Sequence, residues 1–315
     1  MIDASRQSDL ASDLISQFRE DCAIRGMSPE STRRYISSLR IYARFLASRQ
    51  LDLLSADKNV LKSFLEYLRR ERSVSQKTIE NHFCALSAFY DFLEYEEHIP
   101  RNPIHSVRKR YLRRYKDNDD GQVRKLISVD EMARLINSVM DIRDKAIITL
   151  LAKTGIRRNE LISLDVDDVD MVDQSIRLKP TAKRTNRTVF FDDETAFILY
   201  RWLRARESRN VKNSKALFIN SMGDRLDRNG VYMVVTKAAE RVGLHDPNSD
   251  RTEDHFTPHC CRHWFTTHLR RAGMPREFIQ ELRGDVRKSA IDIYDHIDKE
   301  ELKESYLAHI PQLGI

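Results

Sequence analysis

Up to about residue 97 the apolar positions recur at the three-and-four spacing of helices that bury one face. The stretch "LASDLISQFREDCAIRG" reads as a helix ending at Gly26. Ser28 and Pro29 then cap and open a second, "STRRYISSLRIYARFLASR", with Leu39, Tyr42, Phe45 and Leu46 on one stripe. Two more follow, "NVLKSFLEYLRRE" and "SQKTIENHFCALSAFYDFLEYEE", before "HIPRNP" breaks the pattern. The simplest architecture is a helical domain over residues 1–100.

Beyond it the periodicity fails and charge takes over. Arg101 to Lys116 holds seven basic residues and no acid, with Tyr111 and Tyr115 interleaved. Residues 101–126 are therefore expected to form a basic interdomain linker, either simply solvated or strapped across phosphates through Arg108, Lys109, Arg110, Arg113 and Arg114.

A second domain, residues 127–299, opens at "SVDEMARLINSV", where Ser128 and Glu131 form a capping box. An apolar helix follows and breaks at Thr154-Gly155, aiming Arg157 or Arg158 off a new helix start. "SIRLKPTAKRTNRTVFF" alternates as two short strands, "SIRL" and "TVFF", around a turn carrying Lys179, Lys183, Arg184 and Arg187. Further helices lead to a tail, residues 300–315, with Leu302, Tyr306 and Leu307 at helical spacing. The fold class is mainly α with a small β-hairpin: a helical N-terminal domain followed by an α+β domain.

Composition narrows the partner. Lys plus Arg number 54 against 48 Asp plus Glu, a formal charge of +6 and a pI near 9.1, which suits a polyanion such as double-stranded DNA. No run of eighteen apolar residues exists, so the expectation is a soluble, cytoplasmic, DNA-associated protein with no membrane partner.

The densest chemistry lies in "TPHCCRHWFTTHLRRAGMP". Its cysteines and histidines invite a zinc reading, but Cys260 and Cys261 are adjacent and point apart, and no second cysteine pair exists. No metal and no cofactor are expected. What remains is His259 and Arg262, at i and i+3 on one helical face. Tyr294, between Ile293 and Asp295, would by itself be half-buried packing.

Taken together, these residues resemble the tyrosine recombinases, the integrase and Xer-like enzymes that cut and rejoin DNA, over nearly the whole chain. "TGIRRNEL" is similar to the family's first arginine box, which implies Arg157 as catalytic and Glu160 as supporting acid. "HCCRH" resembles its His-x-x-Arg box, implying His259 and Arg262. "LRGDVRKSAIDIYDHI" resembles the box ending in the nucleophile, implying Tyr294, with Tyr306 the next candidate. The hairpin lysine is Lys183 or Lys179. The first domain then corresponds to the family's SAM-like core-binding domain. One departure stands out: Asp285 follows Gly284 where the family has a histidine or tryptophan. An acid there repels a phosphate unless it is protonated or faces an arginine, so Asp285 either bonds the phosphate when protonated or orients Arg157, Arg262 or Tyr294.

The chemistry is coherent. Phosphodiester attack builds negative charge on non-bridging oxygens, which two arginines can fork. His259 is the candidate base for Tyr294, and Lys183 the acid for the leaving 5′ oxygen. The resemblance implies site-specific recombination of double-stranded DNA sites through a 3′-phosphotyrosyl intermediate, with a monomer in isolation and a homotetramer on paired sites. It also suggests that the tail docks on a neighbouring subunit, the alternative being that it folds back on its own domain. A catalytically impaired DNA-binding relative and a type IB topoisomerase are the alternatives. Base readout is expected from the helix around Thr78 to Phe89 or from Asn229 to Lys237.

Overall fold

The structure, a computed structural model, describes residues 4–54, 56–112, 126–180, 187–209, 214–285 and 297–315. The chain divides into two compact units, Met1–Asp120 and Gly121–Ile315. The first holds helices α1 (Ala4–Ile24), α2 (Pro29–Ser48), α3 (Lys58–Glu66), α4 (Gln76–Tyr95) and α5 (Ile104–Tyr111). Local chemistry sets the starts. Ser28 and Ser75 accept the backbone N–H of Ser31 and Thr78, each at 3.3 Å, and Asp57 accepts those of Asn59 and Val60 at 2.8 and 2.9 Å. Phe18, Tyr42, Phe64, Phe83, Phe89 and Tyr90 fill the centre and are almost wholly buried.

Here the expected linker is corrected at its start. Buried Asn102 donates to Ser87 O at 3.1 Å and to Asp91 at 2.8 Å, and its side-chain oxygen accepts Ile104 N–H at 2.8 Å. These bonds staple α5 to α4, and Ile104 and Val107 bury in the first unit's core. The segment reads as linker in sequence because its two anchoring apolar residues are outnumbered by Arg108, Lys109 and Arg110. Of these, Lys109 and Arg110 are exposed. Arg113 and Arg114 lie outside the described residues.

The second unit comprises α6 (Val129–Asn137), α7 (Ile142–Thr154), α8 (Arg158–Ser163), strands β1 (Val169–Asp170), β2 (Ser175–Leu178) and β3 (Arg187–Phe190), then α9 (Asp193–Glu207), α10 (Arg228–Arg241), α11 (Pro258–Arg271), α12 (Arg276–Arg283) and α13 (Lys299–His309). The Ser128–Glu131 capping box is present. From Ala146 to Thr154, α7 is buried on every side against α9, α10 and α11, which explains its lack of a polar face. The hairpin arms pair antiparallel with Ile176 opposite Val189, and β1 adds a third strand beside β2.

The tail packs on its own unit. Leu302, Tyr306 and Ile310 pack with Phe190, Phe265 and Leu269, and Leu313 joins the main core. Lys153, with no exposed surface, donates to Asp192 at 2.5 Å, Glu194 at 2.6 Å and Pro311 O at 2.7 Å. The Tyr306 hydroxyl donates to Lys153 O at 2.9 Å. Fully buried and committed to that carbonyl, Tyr306 cannot serve as a nucleophile. A buried ammonium requires this many acceptors, and the tail supplies one of them.

Candidate active site

The break after α7 places the first arginine. Gly155 takes a left-handed turn (φ 60°), and a β-carbon there would fall 2.3 Å from the Phe265 ring, so both conformation and space demand glycine. Two residues later Arg157 is the N-cap of α8, and Glu160 accepts its backbone N–H at 2.7 Å. The cap resolves which of the paired arginines turns inward. Arg157 Nη1 donates to Glu160 at 3.2 Å and to Arg283 O at 2.9 Å, whereas Arg158 lines another cleft with Ile162, Arg225 and Arg228.

Arg187, expected among the DNA contacts, lies in the interior instead. It is buried, with Nη1 and Nη2 donating to the two oxygens of Glu160 at 3.0 and 2.9 Å and Nε to Leu282 O at 3.2 Å. So buried, Arg187 presents little surface to a DNA backbone. Sequence alone could not separate it from its basic neighbours in the turn. Lys179 is likewise engaged, with Asp165 at 2.5 Å and Asp168 at 3.4 Å, and the Asp165 hydrogen bond above all raises its pKa. It anchors the base of the hairpin. Lys183 and Arg184 lie outside the described residues, as does Tyr294.

His259 and Arg262 occupy the first two turns of α11. His259 is exposed, and Arg262 is buried. Arg262 Nη1 donates to Gly155 O at 2.7 Å, and Nη2 to Arg283 O at 2.8 Å. Burial, with Arg283 and Arg187 nearby, pulls its pKa down to about 10 against the opposing pull of Asp285 and Glu160, so it stays charged at neutral pH. The adjacent cysteines serve packing and capping: Cys261 is fully buried, and Cys260 Sγ accepts Thr257 N–H at 3.3 Å.

The arginines meet at Asp285. Its Oδ1 accepts Arg157 Nη2 at 3.3 Å and Arg262 Nη2 at 3.4 Å, and its Oδ2 pairs with Arg283 Nε at 2.8 Å. Asp285 thus faces three arginines. Arg283 was not anticipated, because a basic residue two positions before an acid carries no signal of its own. Among the described residues, Arg157, Arg187, Arg262 and Arg283 cluster around two carboxylates, Glu160 and Asp285, an excess of positive charge suited to an oxyanion.

Residues 121–301 match the phage integrase family, and residues 14–98 match the phage integrase N-terminal SAM-like domain. A tyrosine recombinase XerC of Herpetosiphon aurantiacus is 31% identical over 281 residues, covering 88% of this chain and 87% of the relative. A tyrosine recombinase XerD of Oceanobacillus iheyensis is 28% identical, covering 91% and 94%. Among solved structures, the XerH site-specific recombinase bound to difH substrate aligns with a TM-score of 0.63 at 22% identity, covering 92% of this chain and 83% of that one. A lambda integrase dimer bound to a COC′ core site gives 0.67 at 16%, covering 91% and 98%. These two structures show the shared fold.

Proposed function

Because the chain belongs to the phage integrase family and is a site-specific tyrosine recombinase, we propose that the second unit's arginine cluster is its phosphoryl-transfer site. The observation that carries this is the convergence of Arg157 and Arg262, from segments more than a hundred residues apart, on one oxygen of Asp285. A phosphodiester oxygen drawn into that cradle would meet both guanidinium groups, and two forks stabilise the growing charge of the pentacoordinate transition state. Glu160 orients Arg157 by accepting from its backbone and its side chain.

In this reading Tyr294 attacks the phosphorus and forms a 3′-phosphotyrosyl bond as the 5′ oxygen departs. His259 takes the phenolic proton, and Lys183 returns one to the leaving oxygen. The engagement of Lys179 with Asp165 and Asp168 supports Lys183 in that role. The covalent bond conserves the phosphodiester energy, so rejoining needs no nucleotide cofactor. Rejoining reverses the step, with the free 5′ hydroxyl as attacking group.

The partner is double-stranded DNA carrying recombination sites. On α10, Asn229, Tyr232, Met233 and Lys237 form an exposed stripe that suits base readout, whereas most of Thr78 to Phe89 is buried in the first unit's core. With the tail packed on its own unit, the isolated chain is read as a monomer, and the homotetramer as a species formed on paired sites. No described helix is long and apolar enough to cross a membrane.

The test is covalent capture. The protein is incubated with fragmented host and plasmid DNA, denatured, and its adducts are sequenced. A defined set of attachment points is expected for the wild type and none for Tyr294→Phe, which keeps the ring and DNA binding. Adducts that survive in the Phe variant would move the nucleophile elsewhere. Native gels with the mapped sites in pairs then test for the tetramer.

A further inference from the structure

The arginine cluster already holds an anion of its own. Asp285 offers two oxygens separated much as two non-bridging phosphate oxygens are, and three guanidinium groups reach them, Arg157 and Arg262 on one and Arg283 on the other. Arg262 is the buried floor, its side chain 6% exposed. Arg157, Asp285 and Arg283 are each about one-third exposed and form the open side. The remaining bonds of the two catalytic arginines go to Gly155 O, Arg283 O and Glu160, and are part of the scaffold. The donors aimed out of the scaffold thus end on Asp285.

A carboxylate and a phosphodiester cannot share those Nη2 donors without facing each other as like charges. The backbone around Asp285 is tied down: its N–H donates to Gln280 O at 3.1 Å, closing α12 through Gly284 in the left-handed region (φ 58°). Exchange of one anion for another therefore needs only a rotation of the Asp285 side chain. Arg283 is held at the rim by its own carbonyl, which accepts from Arg157 at 2.9 Å and Arg262 at 2.8 Å. Once Asp285 turns away, the Arg283 guanidinium loses that ion pair beside the incoming phosphate, while its Nη1 keeps the bond to Thr266 Oγ1 at 3.4 Å.

We propose that Asp285 is an internal occupant of the phosphate cradle, displaced when DNA enters, and that Arg283 is thereby released to become a third phosphate-binding arginine. The proposal rests on the phosphoryl-transfer reading of the cluster and adds to it a built-in competitor and a further catalytic residue. In the free enzyme Asp285 occupies Nη2 of both Arg157 and Arg262. A phosphate presented by a bound site replaces that contact with a stronger one.

The first measurement is the affinity for a 30-base-pair duplex of arbitrary sequence at about 0.1 M salt, where exposed charges beyond roughly a Debye length are screened. Asp285→Ala and the near-isosteric Asp285→Asn should bind about tenfold more tightly than wild type, as expected when charge-assisted donors are freed. Asp173→Ala, which removes the same charge elsewhere on the unit, should change affinity less than about twofold. Arg283→Met placed in the Asp285→Asn background should then lose most of the gain. If Asp285→Asn binds no better than Asp173→Ala, the carboxylate is not a competitor. If Arg283→Met costs nothing in the Asp285→Asn background, Arg283 serves only to hold Asp285. Both outcomes overturn the proposal, and neither depends on cleavage, so they are separable from a failure of the recombinase chemistry. On the sites mapped by covalent capture, Arg283→Met should cut at least tenfold more slowly at saturating protein.

Discussion

Arg187 and Glu160 are joined fork to fork, Nη1 to Oε1 at 3.0 Å and Nη2 to Oε2 at 2.9 Å, and the same two carboxylate oxygens hold Arg157 by its side chain and its backbone. Arg187 thus acts on Arg157 through an intermediary, from the first residue of β3. The contact is tight enough that a β-carbon on Gly284 would lie 2.6 Å from Arg187 Nη1.

Arg187→Met leaves Glu160 buried with part of its charge uncompensated, a change that typically costs about 3–5 kcal/mol of stability. Single-turnover cleavage should fall at least about tenfold with DNA affinity nearly intact, and Arg187→Lys should recover part of the loss. Combined with Glu160→Ala, the effect on cleavage should be no larger than that of the worse single variant. Additive losses would show that the two residues act independently.

For Arg157 and Arg262, lysine keeps the charge and loses the fork. Each lysine variant should cleave on the order of a hundredfold more slowly, as for removal of one oxyanion donor. Arg158→Lys is the control, since Arg158 faces a different cleft. Near-normal rates in both catalytic variants would exclude bidentate contacts in the transition state.

The exposed base of α5 invites a salt titration. Neutralising Arg108, Lys109 and Arg110 should weaken binding to all sequences alike and flatten the slope of log affinity against log salt by up to about three units. Because α5 is anchored through Ile104, Val107 and Asn102, which these changes leave alone, thermal stability should hold. An unchanged slope would make this basic face merely solvated.

The buried clasp on the tail gives a pH-dependent prediction. Burial alone would raise the Glu194 pKa, but Lys153 and the N–H groups of Leu313 and Gly314 outweigh it and hold the carboxyl below its ordinary range. A depressed folded value means stability that is present above the unfolded pKa, near 4.3, and lost as pH falls through the folded one. Glu194→Gln should therefore cost on the order of 2 kcal/mol at pH 7, and the gap to wild type should close on acidification below about pH 4. Thermal melts across that range decide it. A gap independent of pH would mean that the carboxylate's charge contributes nothing.

Much of this molecule could be read without coordinates. Ser28, Ser75 and Ser128 mark helix starts because a cap is satisfied within three residues, and the arms of the hairpin show because a strand's alternation is local. The break at Thr154-Gly155 marks Arg157 or Arg158 and the i, i+3 spacing marks His259 and Arg262, while the choice of Arg157 with Glu160 comes from the resemblance of the whole box to the family's. What only tertiary structure decided are partners distant in sequence: Arg187 with Glu160, 27 residues away; Arg157 with Asp285, 128 away; Lys153 with Pro311, 158 away. The same basic composition describes an arginine that is buried under a carboxylate and one that waits for a phosphate. Burial separates them, and burial is set by how α7, α11, α12 and the sheet close on one another, which no local pattern encodes.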